Sequence, residues 1–393
     1  MLQSTDEKTY SMTGDRYCSP TLTSIKGGIE ISAAQCPAMV TRANRVRLAQ
    51  LPSNGVPLEQ LDRSLLSRCE SLLDNWSTLL GTGNEVVSAF RTATSRIGFV
   101  SPSTARRGWF GHTHVGAPVE FLESIARSTT EPAFLCDPAP AAASDATRMD
   151  IALERAHALL DEVGLPSNCI EALVGAANVT DIWLSAQGKM RTFHLQTTPL
   201  DCGRTSARAA RTWLRMADIK CPSATGRALA LAADKGSLRA IACTCNPDGS
   251  RAAHVTYCHL FDSQVLNVAA ASDVPREPLV GYTEDLLRVQ PHHVQRRAQL
   301  TLTVSGSGVI ESFTLAHYVA PYFRSDAELR AAVLSNASVF NWHVAPYRAV
   351  SKLIGLAPEG SRARCYISFT VSRRGDARFD SYVSSARLFS TTP

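Results

Sequence analysis

A single carboxylate, Glu120, stands between Val119 and Phe121 in the stretch GAPVEFLES. A charge among apolar neighbours is either turned to water or kept inside for chemistry. Pro118 permits the first reading, because proline is tolerated on an edge strand. In the second, a carboxyl shielded from solvent can balance positive charge that develops on a bound reactant. His112-Thr-His114 offers two imidazoles on one side of an extended segment, a metal half-site that shares the parity of Glu120. Gly111, Gly116 and Pro118 interrupt any continuous strand there, and we expect no metal. His292-His293 follows Pro291 and reads as surface. The chain has no DDxxD-type carboxylate cluster, no Gly-x-x-x-x-Gly-Lys loop and no Gly-x-Ser-x-Gly elbow, which lowers three enzyme classes together.

Helical and strand-like segments alternate around these residues. From Leu58 to Leu80, Leu61, Leu65, Leu66, Cys69, Leu72, Leu73, Trp76, Leu79 and Leu80 recur at three and four, the spacing of one helix face. A second face runs through Ile151, Leu153, Ala156, Leu159, Leu160 and Val163 and ends at Gly164-Leu-Pro166. Paired strand-like runs flank Gly188, Gly249, Gly308 and Gly375, whose spacings are 61, 59 and 67 residues. About 60 residues before Gly188 lies Ser128, inside a further hairpin that begins at PVEFLES and returns through AFLCDP. Repeats of helix, two strands and helix must stack to bury their apolar faces, and a closed ring removes open edges. We therefore expect an α+β fold: a ten-stranded antiparallel β-barrel of five αββα repeats, helices outside, with a lumen wide enough for a ligand. Two separate α+β domains are the alternative. Residues 1–56, rich in Ser, Thr and Gly, read as an irregular lead-in to a single domain over 57–393.

The 393 residues are 45% hydrophobic and 19% charged, ample for a large core. A formal charge of +5, spread over 40 basic and 35 acidic residues, signals no nucleic-acid surface. Eleven cysteines without a CxxC pair fit reduced thiols in a cytosol. No apolar run reaches the roughly 18 residues of a membrane span, and the N-terminus lacks the shape of a signal peptide. A cytoplasmic protein is the expectation.

From Pro57 onward the sequence resembles the aromatic prenyltransferases of the ABBA, or PT-barrel, fold, within them the dimethylallyltryptophan synthase group. The resemblance rests on GAPVEF, KMRTFHL, FTLAHYVAPYFRSDAEL and YISFTV…DSYVSS, in that order. It implies transfer of an allylic group, dimethylallyl or geranyl, from its diphosphate to a tryptophan-derived indole such as an indolactam or cyclic dipeptide. It implies no resident cofactor and no strict need for Mg2+. Glu120 falls where the family has the glutamate that holds the indole N–H. Arg191 becomes the leading diphosphate grip, on an inward face shared with Phe193 and Leu195. Arg251, Lys189, Tyr257, Tyr318 and Tyr382 are its helpers, with His254 a further donor. Phe193, Tyr257, Tyr318, Tyr382 and Tyr366 would shield the allylic cation. The chain departs from the family where Ala253 and Val255 replace a basic pair and near Ala133, where an arginine is expected. The rival reading is a non-catalytic barrel that binds an apolar small molecule. Oligomeric state is not legible.

Overall fold

The computed structural model describes residues 24–25, 28–29, 58–95, 119–138, 145–161, 168–176, 179–200, 202–260, 262–287, 298–319, 321–355 and 363–385. Most of the expected lead-in lies outside these residues, as do His112, His114, His292, His293, Val163 and Gly164-Leu-Pro166. Within residues 1–56 only a short pairing of Ser24–Ile25 (β1) with Gly28–Ile29 (β2) is described.

Ten strands close into one antiparallel barrel. They form five sequential hairpins: β3 Val119–Ile125 with β4 Ala133–Cys136, β5 Val179–Gln187 with β6 Met190–Leu200, and β7 Ser237–Cys245 with β8 Arg251–Leu260. The last two are β9 Ala298–Ser305 with β10 Ile310–Tyr318, and β11 Arg364–Ser372 with β12 Ala377–Ser384. The ring closes where β12 pairs with β3, Ser384 opposite Glu120 and Asp380 opposite Ser124. All five hairpin turns lie at one rim. Gly188, Gly249, Gly308 and Gly375 sit there at φ of 53°, 80°, 86° and 85°, a left-handed conformation that costs a residue with a Cβ. The 60-residue period thus counts hairpins.

Helices connect the hairpins and coat the ring: α1 Leu58–Leu80, α2 Glu85–Thr94, α3 Asp145–Asp161, α4 Asn168–Ala176, α5 Arg204–Met216, α6 Ser223–Lys235, α7 Asp262–Ala270, α8 Glu277–Gly281, α9 Asp326–Ser335 and α10 Val344–Ile354. On α1 the apolar face holds through Cys69, Leu72, Leu73 and Trp76, all buried, while Leu79 stands 47% exposed at its end. The hydrophobic core lies between this helical coat and the outer face of the barrel. There Phe90 of α2 meets Phe134 of β4 edge to face at 5.2 Å, and Tyr282 stacks on Phe369 of β11 at 4.5 Å. Trp342 Nε1 donates to the Ala377 carbonyl at 2.8 Å. Consequently the outward side of each strand is the oily one, and polar residues are left to line the lumen.

Candidate active site

Directly paired residues on neighbouring strands share a face, so the ladder assigns the lining. Glu120 is opposite Leu135 and Ser384. Tyr382 is opposite Leu122 and Tyr366, and Tyr366 opposite Tyr318. Val119 and Phe121, on the other face, enter the hydrophobic core. The period of two therefore turns Glu120 into the lumen, with the three tyrosines on the adjoining wall.

Glu120 is fully buried, and neither carboxyl oxygen has a hydrogen-bond partner. Desolvation pushes its pKa up to about 8. The Oγ of Ser384 across the ladder also lacks a partner. Tyr318 and Tyr366 meet edge to face at 5.4 Å, and Tyr366 and Tyr382 at 5.6 Å. Tyr366 Oη donates to Gln299 Oε1. Burial pushes the Tyr382 phenol up to about 12, with Asp380 and Glu120 adding to the shift. Tyr366 and Tyr382 stay neutral, and the three rings offer quadrupolar faces beside the Glu120 carboxyl.

The opposite wall is a belt of hydroxyls and imidazoles. His194 Nε2 lies 2.9 Å from Ser185 Oγ, and Thr192 and Thr244 hydroxyls are 2.7 Å apart. His254 bridges Thr244 at 2.7 Å and Thr303 at 3.0 Å, and Thr256 meets Thr301 at 2.9 Å. Burial lowers the His254 pKa to about 4, so the imidazole is neutral near pH 7. Among the described residues the cation placed securely on the lumenal face is Arg378. Its Nε reaches Asp380 Oδ1 at 2.6 Å, Nη1 reaches Gln187 Oε1 at 3.0 Å, and Nη2 reaches Ser124 Oγ at 3.1 Å. The Ser124 hydroxyl also donates to Asp380. Arg378 stands in a cavity of about 750 Å³ at the hairpin-turn mouth, lined also by Arg127, Ser312, Thr370, Glu311 and Asp376. No group of three His, Cys, Asp or Glu is arranged for a metal among the described residues.

The expected inward face of β6 is corrected. Arg191 pairs with Cys245 and Phe193 with Cys243, both on the outer face. Arg191 donates to the carbonyls of Gly188 at 2.7 Å and Glu85 at 3.1 Å, tying a hairpin turn to the start of α2. Phe193 is fully buried in the outer core. Tyr257 also points outward, its hydroxyl donating to the Leu229 carbonyl of α6 at 3.4 Å. Arg251, paired with Cys245, shares that outward parity at the hairpin end. Lys189 is an exposed turn residue 3.4 Å from Glu85. The helical coat demands the apolar side of each strand, and Phe193, Leu195, Val255 and Tyr257 are that side. Glu120, Tyr318, Tyr366, Tyr382 and His254 are brought to the lumen; Arg191, Phe193, Tyr257, Arg251 and Lys189 are not. The belt of Ser185, Thr192, His194, Thr244, Thr256, Thr301 and Thr303 escaped the sequence reading, although LTLTV and RTFHLQ carry its alternation.

No protein-family model matches the chain, and no curated protein matches it. Solved structures do. The 5-dimethylallyl tryptophan synthase from Streptomyces coelicolor, in complex with DMASPP and Trp, superposes with a TM-score of 0.65 at 16% identity, covering 84% of this chain and 97% of that one. The 6-dimethylallyltryptophan synthase from Micromonospora olivasterospora, with the same two molecules, gives 0.63 at 13% identity over 86% and 100%. The prenyltransferase PriB, in a ternary complex with L-tryptophan and dimethylallyl thiolodiphosphate, gives 0.63 at 15% over 82% and 97%. The chain has the PT-barrel fold of these proteins.

Proposed function

We propose that the barrel is an aromatic prenyltransferase acting on an indole, and that Glu120 holds the indole N–H. The observation that carries this is the buried, unpartnered carboxyl of Glu120 beside the aromatic wall of Tyr318, Tyr366 and Tyr382. In the proposed reaction the allylic C–O bond breaks and diphosphate leaves. An indole ring carbon attacks the allylic cation, and the ring then loses a proton. The tyrosine faces stabilise the cation without offering it a strong nucleophile. A carboxyl poised near pH 8 accepts the N–H hydrogen bond and, as positive charge spreads over the indole, favours its ionised form. Dimethylallyl and geranyl diphosphate are the proposed donors, and tryptophan, an indolactam or a cyclic dipeptide the acceptor. The proposal includes no resident metal: threonine hydroxyls, imidazoles, Tyr318 and Tyr382 would supply neutral donors to the leaving group.

The uncharged belt favours a second reading. A diphosphate is best held by several arginines or lysines, whereas this wall is neutral, which suits a barrel that binds a small molecule without transferring a group. Incubating the protein with tryptophan, cyclic dipeptides and indolactam against both donors, with mass spectrometry of the products, separates the two. A prenyl mass gained by any acceptor supports transfer; tight acceptor binding with no mass gain moves the binding barrel ahead.

A further inference from the structure

The helix α5, RTSARAARTWLRM, carries four arginines and no acidic residue. Arg204, Arg208, Arg211 and Arg215 follow a 4-3-4 spacing, which aligns them as one stripe roughly 16 Å long, and all four are exposed. The opposite face, Ala207, Ala210, Trp213 and Leu214, is buried against the barrel. Beyond the turn, α6 brings Arg227 against the C-terminal half of the stripe. Between the two helices opens a cavity of about 490 Å³ lined by Arg211, Arg215, Arg227, Cys221, Ser223 and Gly226, with no carboxylate in its lining. Arg211 is held in place, its Nη2 donating to the Gly226 carbonyl at 2.9 Å.

Several arginines elsewhere in the chain are neutralised by a carboxylate partner. Arg91, Arg155 and Arg373 each sit within 4 Å of a carboxylate, at Glu70, Glu154 and Asp273. Arg211, Arg215 and Arg227 form no ion pair among the described residues. Three like charges around one concavity repel each other, and an anion bound among them would relieve that repulsion. The planar guanidinium fork matches phosphate oxygens two at a time. We propose that the α5–α6 cavity binds a small phosphate-bearing anion, at a site on the outer coat separate from the lumen. The concave shape favours a compact ligand over a nucleic-acid backbone, which would follow the open stripe instead.

The test is calorimetric titration of the whole protein with inorganic phosphate, inorganic diphosphate and a short DNA duplex, at ionic strength matched with sodium chloride. The wild type is compared with the double variant Arg215→Ala/Arg227→Ala. Both side chains are exposed, so an unchanged thermal midpoint in chloride verifies folding. The expected result is saturable phosphate or diphosphate binding that weakens at least tenfold in the variant; which anion binds tighter distinguishes a free phosphate from a diphosphate source. Retained affinity in the variant, or heats no larger than those of chloride, would overturn the proposal. Saturable binding of the duplex alone would replace it with a polyanion surface.

Discussion

Glu120 and Glu123, three residues apart on one strand, face opposite sides of the barrel wall and meet opposite electrostatic fates. Glu120 enters the lumen without a partner, and burial lifts its pKa to about 8. Glu123 enters the helical coat. Desolvation there works against its charge, but the Arg364 guanidinium, 2.6 Å away, together with hydroxyl donors such as Ser381, more than offsets it and holds the carboxyl below its usual range. Arg364 also reaches Asp326 at 3.1 Å and the Gly355 carbonyl at 3.2 Å, joining β3, β11, α9 and the end of α10. One glutamate is thereby tied into the coat, and the other faces the lumen without a hydrogen-bond partner.

Arg364→Ala should therefore leave Glu123 buried and uncompensated. The expected loss of stability is about 3–5 kcal/mol, the scale for breaking a buried ion pair from one side. Chemical denaturation of the two proteins checks it, and a change below about 1 kcal/mol would contradict the structural assignment.

The raised pKa of Glu120 has a signed consequence for stability. Its carboxyl keeps a proton in the folded chain up to about pH 8, whereas the unfolded chain releases it near the ordinary value of 4.5. Between these limits the folded state binds more protons, so stability falls as pH rises. The contribution is fully present below about pH 4.5 and gone above about pH 8, with an upper bound of about 5 kcal/mol. Thermal midpoints measured from pH 5 to 8 should drop more for the wild type than for Glu120→Gln, which cannot titrate. Parallel curves would mean that water reaches Glu120 and keeps its pKa ordinary.

Arg191 now carries a prediction unlike the one the family resemblance implied. Its guanidinium clamps a turn to α2 on the outside of the wall. Arg191→Ala should cost roughly 1.5–3 kcal/mol of folding stability, the range for charge-assisted hydrogen bonds. The donor KM should stay within about twofold of the wild type at a temperature where both are folded. A donor KM raised tenfold without loss of stability would return Arg191 to the diphosphate site.

Transfer by neutral donors also bears on metals. Excess EDTA should leave a substantial part of the activity, and added magnesium should change the rate only modestly. Activity abolished by EDTA and restored by magnesium would assign the leaving group's charge to a metal.

The architecture was legible because its signal is periodic: turn glycines about 60 residues apart mark hairpins, and Gly188, Gly249, Gly308 and Gly375 need left-handed backbone at those turns. The lumenal placement of Glu120, Tyr318, Tyr366 and Tyr382 was implied by the family resemblance, and the strand pairing puts them on that face. Arg191, Phe193 and Tyr257 went astray because one period of two serves both faces, and a shift of one residue exchanges them. In this barrel the core lies outside the ring, so the apolar alternation marks the outward side. Phe193 beside Leu195, and Val255 beside Tyr257, carried that information. Thr192 and His194 alternate with that outward side and so line the lumen.

The central claim is that Glu120 holds the indole N–H during transfer. It is tested most directly by the transfer rate on an indole acceptor and its N-methylated analogue, each with wild type and Glu120→Ala. If the account holds, the wild type slows by about 10²-fold on the N-methylated acceptor, and Glu120→Ala is slow on both by a similar factor. Equal wild-type rates on the two acceptors, or an alanine variant that still prefers the free N–H by the full factor, would contradict it.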